Sequence, residues 1–278
     1  MTLRMLVPPL LGFNFAFQAA PSPDPAVLVE AERAFARDAA ANGTRAGFLA
    51  HLGEGSVVFE PGPVDARALW EAREARPGLL SWVPEHAAIS ASGELGFTTG
   101  PWEFRRGGAA DEPVAFGEFA TVWRKRADGT WKFAADIGIG HGPHAGPPAD
   151  PVLAPAATAP AVAATPADVL AAETAFLAAA RTSVESAYQD HGEDGILLLR
   201  EGAPRAEGTQ AAASLAARVP AVWEPREALV SDAGDLGYVY GVARAAEGAD
   251  AAGYLRVWRR SGDGPWRIAL DVATVPAP

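Results

Sequence analysis

The sequence predicts an α+β protein in which one plan is written twice, and three observations carry that prediction. Gly93-Glu94-Leu95-Gly96-Phe97-Thr98-Thr99-Gly100 returns as Gly234-Asp235-Leu236-Gly237-Tyr238-Val239-Tyr240-Gly241, an offset of 141 (234 − 93). Its flanks return too. Trp82-Val83-Pro84 answers to Trp223-Glu224-Pro225, and Ala31-Glu32-Arg33-Ala34-Phe35 to Ala172-Glu173-Thr174-Ala175-Phe176; Val122-Trp123-Arg124 answers to Val257-Trp258-Arg259 at 135 (258 − 123). The slip from 141 to 135 makes one loop six residues longer in the first copy. Finally, each copy gathers helical patterns before a run of strand patterns, an order that packs helices on one side of an antiparallel sheet.

In the first copy, Pro25 at a helix start follows Asp24 as N-cap, and Val27, Leu28, Ala31, Ala34 and Phe35 form an apolar stripe through Ala41. Asn42-Gly43 ends that helix. A short helix, Thr44–Leu52, leads to a strand over Ser56–Glu60, stopped by Pro61-Gly62-Pro63, and Val64–Arg76 is a third helix. Strands are expected at Leu79–Ala91, Leu95–Arg105, Val114–Lys125 and Thr130–Ile139, joined mostly by polar glycine turns such as Ala127-Asp128-Gly129. Residues 141–166, dominated by Pro and Ala, read as an extended linker. The second copy expects helices at Asp168–Ala180, Val184–His191 and Thr209–Val219. Its strands are expected at Gly195–Arg200, Trp223–Ser231, Leu236–Ala245, Gly253–Arg260 and Trp266–Thr274.

The chain divides accordingly into residues 1–25, a signal peptide and spacer; 26–140, the first domain; 141–166, the linker; and 167–278, the second domain. Arg4, the apolar run from Met5 to Phe17, and Ala19-Ala20 before Pro21 make the leader pattern, so a secreted or periplasmic bacterial protein is expected. With 278 residues, 49% hydrophobic and 21% charged, the composition suits two domains of ordinary size. A net charge of −11 argues against a nucleic-acid partner, because phosphate binding needs a basic surface. Without cysteine there is no thiol nucleophile, disulfide or thiolate metal site. Beyond the leader no apolar run reaches the ~20 residues that cross a bilayer.

The element order, with the ending Val122-Trp123-Arg124-Lys125-Arg126-Ala127-Asp128-Gly129-Thr130-Trp131, resembles the nuclear transport factor 2-like superfamily. The resemblance covers about residues 26–140 and 167–275, and is nearest to the small secreted bacterial domains of unknown function in that superfamily. It implies two tandem cones, each with N-terminal helices packed on a curved antiparallel sheet around an interior pocket. Such cones often pair through their sheets, so an intrachain pseudo-dimer is expected. The superfamily also includes ketosteroid isomerases and polyketide cyclases. Glu60-Pro61 stands where the isomerases carry their general base, which makes Glu60 the catalytic candidate. The isomerases' oxyanion acid would fall near Thr121 and their tyrosine near Arg37, so both are missing, and Arg200, beside Glu201, takes the base position in the second copy.

Aromatic residues supply the other site candidates. Most should be core, and a minority lining a mouth would make an apolar small-molecule pocket. The candidates are Trp82, Trp102, Phe119 and Trp123 in the first copy and Trp223, Tyr238, Tyr254 and Trp258 in the second. Phe119-x-Thr121-x-Trp123 and Tyr254-x-Arg256-x-Trp258 place Thr121 and Arg256 beside those rings. One pocket would then be near neutral and the other cationic, suited to a carboxylate. Asp136 and Asp271 hold matching places in the last strands. Either they sit in the pockets and orient a polar ligand group, or they bond to backbone or arginine. Alternation cannot choose, because a one-residue shift flips them to the other face. His51 and His191 read as helix C-caps. His141-Gly142-Pro143-His144 could chelate a metal weakly but falls in the linker. No metal or cofactor is assigned. The leading reading is a binder of a small, largely apolar molecule; the alternatives are a proton-transfer or hydrolytic enzyme using Glu60 and a ligand-free assembly module.

Overall fold

The computed structural model of the chain describes residues 22–217, 222–244 and 252–276. The expected leader lies outside the described residues. The first half runs α1 (Ala26–Asn42), α2 (Thr44–His51), β1 (Leu52–Phe59), β2 (Pro63–Asp65), α3 (Ala66–Ala72), β3 (Leu79–Trp82), β4 (His86–Ile89), β5 (Leu95–Arg105), β6 (Ala115–Lys125), β7 (Trp131–His141) and β8 (Val152–Ala154). The second half runs α4 (Pro166–Thr182), α5 (Val184–His191), β9 (Gly192–Glu201), β10 (Ala206–Glu207), α6 (Thr209–Ala216), β11 (Val222–Val230), β12 (Leu236–Arg244), β13 (Ala252–Arg259) and β14 (Arg267–Pro276).

The architecture is mixed α+β with two sheets, ordered β2-β1-β7-β6-β5-β4-β8 (β3 also on β5) and β10-β9-β14-β13-β12-β11. Local chemistry sets the helix starts. Asp24 accepts from the Ala26 N–H at 2.9 Å, and a Thr165/Asp168 capping box opens α4. Three details depart from the sequence reading. The expected strand Leu79–Ala91 is broken at Val83-Pro84-Glu85 into β3 and β4, since Pro84 brings no ladder N–H. The first strand of each half joins the last strand of that half's meander in parallel (β1 with β7, β9 with β14), beside otherwise antiparallel neighbours. The linker is docked as well: β8 pairs with β4, and the Ala149 N–H donates to Glu85 at 2.7 Å.

Each sheet carries helices on one face and packs its other face against the opposite sheet. Ala120, Val122, Ala135 and Ile137 from the first sheet join Leu197, Leu199, Leu255 and Leu270 from the second in one buried cluster. The repeated glycine turns meet at its edge. The Ala91 N–H donates to Asp235 at 2.8 Å, and the Asp232 N–H donates to Glu94 at 2.7 Å. Ala91 and Asp232, like Glu94 and Asp235, are 141 positions apart, so the two bonds are reciprocal. Gly93 and Gly234 both sit at φ 75°, a left-handed conformation that the tight turn requires.

Candidate functional site

The helix-side faces of the two sheets use the same lattice of positions. In β6 and β7, Thr121 stands opposite Asp136; in β13 and β14, Arg256 stands opposite Asp271. A bulge falls between Val122 and Trp123 in one pairing and between Val257 and Trp258 in the other. It adds one residue to the last strand, so Phe133 and Asp136 share the inner face although they are three apart. The bulge, not the turn, decides which way the aspartates face.

In the first half, α1 contributes Glu32, fully buried among polar partners. Its carboxylate accepts from the Trp82 indole at 2.6 Å, the Thr98 hydroxyl at 2.5 Å and the Trp123 indole at 3.0 Å. Burial nevertheless raises its pKa, because those neutral donors only partly offset desolvation. Beside this cluster lies a cavity of about 620 Å³. Phe35, Phe48, Phe59, Trp82, Trp102 and Phe119 give it aromatic walls, and Asp136 and Glu60 also line it.

Asp136 is half-buried and lines the cavity. The Thr121 hydroxyl donates to it at 2.8 Å. Burial, with the nearby Glu32 charge adding to it, lifts its pKa to about 7. At neutral pH such a group both donates and accepts hydrogen bonds. Glu60 stands differently: exposed at the rim and ion-paired with Arg73, which also lies 4.8 Å over the Trp70 ring.

In the second half the corresponding volume is filled. The registers Val58↔Asp136 and Leu198↔Asp271 put Arg200 where the first half has Glu60. Arg200 pairs with Asp271 at 3.0 Å, Arg256 with Asp271 at 2.8 Å and Arg256 with Glu173 at 2.5 Å, all four side chains fully buried. Burial alone would raise the Asp271 pKa, but the two guanidiniums overcome it and hold it at about 2. Tyr188 donates to Asp271 at 2.6 Å, and Arg256 lies 4.2 Å over the Trp223 ring. Among the described residues, a cavity of about 210 Å³ lies near Trp223 and Arg256.

Several sequence expectations are corrected by this arrangement. Arg256 does not make a cationic pocket, because Glu173 and Asp271 neutralise it and its side chain occupies the space a ligand would need. Tyr238 faces the opposite sheet, since it alternates with Val239 and pairs with Val257 of the inter-sheet cluster. Trp123 and Trp258 are fully buried beneath the helices, each donating to a glutamate, Trp258 to Glu173 at 3.1 Å. Tyr254 is buried against Trp223, with ring centroids 5.2 Å apart. Sequence reading passed over Glu32 and Glu173, although the signal was there: a glutamate inside the apolar stripe of the first helix, in both copies.

No family model matches the chain, and no curated protein matches it. Solved structures with similar parts include a ketosteroid isomerase-like protein from Erwinia carotovora atroseptica, 22% identical over 41% of this chain and 97% of its own, with a TM-score of 0.32. Another is an NTF2-like protein from Cytophaga hutchinsonii, 15% identical over 38% of this chain and 94% of its own, with a TM-score of 0.31.

Proposed function

We propose that the first half is a receptor for a small, largely apolar molecule bearing one hydroxyl or carbonyl group, and that the second half is its ligand-free structural partner. The observation that carries this reading is the aromatic cavity of about 620 Å³ with Asp136 as a polar anchor. Aromatic walls supply most of the binding energy in such a site, and one polar anchor fixes orientation. The matched registers and reciprocal turn bonds support two tandem nuclear transport factor 2-like cones, 26–140 and 167–278, paired as an intrachain pseudo-dimer. Export, resting on the Met1–Ala20 pattern, belongs to the same proposal, and N-terminal sequencing of the mature protein tests it.

Binding rather than catalysis is favoured because the cavity's N–H donors are already engaged. The Trp82 indole bonds Glu32, the Trp102 indole bonds the Glu118 and Ile139 carbonyls, and Arg73 pairs with Glu60. Neither indole is left to hold a developing enolate. Calorimetric titration with 2-naphthol tests the binding reading: one site per chain is expected, and either no heat or two equal sites overturns it. The Asp136 pKa near 7 favours one second reading, proton transfer with Asp136 rather than Glu60 as the base. Deuterium exchange at the α-carbon of 2-acetylnaphthalene in D2O separates the two. Exchange that disappears in Asp136→Asn supports catalysis, and exchange at the buffer rate eliminates it.

A further inference from the structure

A second group of chemically apt side chains lies away from the Asp136 cavity, on the face of the first sheet that meets the second half. Glu118 of β6, His141 at the end of β7 and His144 in the following loop bring their ligand atoms within 4.8 Å of one another. We propose that these three residues form a binding site for one first-row divalent transition-metal ion, of the zinc(II) class, held by two imidazoles and one carboxylate.

The hydrogen bonds of the two rings point the same way. His141 Nδ1 lies 2.6 Å from the Gly142 carbonyl, which can only accept, so Nδ1 carries a proton and Nε2 is the nitrogen turned towards Glu118. That Nε2 is buried without a hydrogen-bond partner, 3.8 Å from Glu118 Oε1, on a side chain only 4% exposed. His144 Nε2 lies 3.3 Å from the Trp102 carbonyl, which likewise leaves Nδ1 as the free acceptor. Imidazoles that ligate metals are held in this way, one nitrogen donating to a carbonyl and the other presented to the ion. A buried imidazole nitrogen without a hydrogen-bond partner is costly, and a metal ion shared with Glu118 would relieve that cost.

Charge and access fit as well. Arg205 of the second half holds the other Glu118 oxygen at 3.1 Å and Glu85 at 2.8 Å, which leaves Glu118 Oε1 facing His141. Glu201 lies alongside, accepting from the Gly140 N–H at 2.9 Å. Three carboxylates against one guanidinium give the site the negative balance a divalent cation needs. Imidazole with carboxylate selects zinc-class ions over calcium and magnesium, which take oxygen ligands. At about 2.1 Å per ligand the three donors must draw in by roughly 1–1.5 Å, and His144 rides on a loop with no ladder to break. Glu118 and His144 also line a cavity of about 620 Å³ with Trp102, Phe116 and Arg205, so coordination positions left over would face open space.

The test uses untagged full-length protein stripped with a chelator, titrated calorimetrically with zinc chloride and by visible absorption with cobalt chloride. One ion per chain with cobalt d–d bands is expected. His144→Ala, placed in a loop where folding does not depend on it, and His141→Ala should each weaken binding by roughly tenfold or more. His191→Ala, at the end of α5, should bind like wild type. Far-UV circular dichroism confirms that the variants are folded, and His144→Ala alone decides should His141→Ala unfold. Absence of saturable binding, or wild-type affinity in His144→Ala, overturns the assignment.

Discussion

Asp136→Asn removes the one cavity carboxyl that the fold holds far from its ordinary ionisation. Burial and the Glu32 charge raise its pKa from 3.8 to about 7, so between those values the folded protein keeps a proton that the unfolded chain has released. Stability from this group is therefore full below pH 4 and is lost as pH rises towards 7. A shift of roughly three units at ~1.36 kcal/mol each sets a ceiling of about 4 kcal/mol. Water entering through the cavity mouth screens part of that, and about 2 kcal/mol is expected. Asparagine keeps the shape and an oxygen for the Thr121 hydroxyl, but cannot ionise. Urea denaturation of both proteins from pH 4 to pH 9 reads the difference. The variant should gain about 2 kcal/mol on wild type between pH 4.5 and pH 8. A difference that stays constant across that range would refute the burial argument.

Three further outcomes follow from the same geometry. Arg256→Met strands Glu173 and Asp271 without one of their cations and should cost about 3–5 kcal/mol in chemical denaturation; a loss below about 1 kcal/mol would mean the buried quartet does not hold the second half together. Glu60→Gln breaks only a rim pair and should change stability by less than about 1 kcal/mol, with 2-naphthol affinity unchanged. A large loss of affinity would return Glu60 to the site. Glu94→Ala and Asp235→Ala each remove one acceptor of the reciprocal turn bonds and should cost about 1 kcal/mol apiece. A cost on one side alone would contradict the reciprocity.

Much of the fold was legible because the copies annotate each other: turns, helices and strands proposed in one half find counterparts in the other. What escaped was non-local. Nothing in Ser56–Glu60 says that it lies parallel to the last strand, and nothing in Val152-Leu153-Ala154 says that a Pro/Ala stretch will add to a sheet edge. The strand break at Pro84 was readable from proline's missing N–H, yet the apolar run through Leu79–Ala91 masked it. For the site, Thr121 and Asp136 could be paired by counting, but their face depended on a one-residue bulge that alternation does not reveal. Arg256 shows the other limit. Beside two aromatic rings it suggests a pocket for an anion, but Glu173, 83 positions away, and Asp271 on the neighbouring strand supply that anion from within the chain.

The most direct test exchanges the deciding residue between the halves. Thr121→Arg places in the first half the side chain that fills the second, with Glu32 and Asp136 standing ready as its partners. Quenching of tryptophan fluorescence by 2-naphthol should be saturable with one site in wild type and absent in folded Thr121→Arg. Undiminished binding by the variant would mean that the ligand sits elsewhere and that the cavity beside Asp136 is not the receptor.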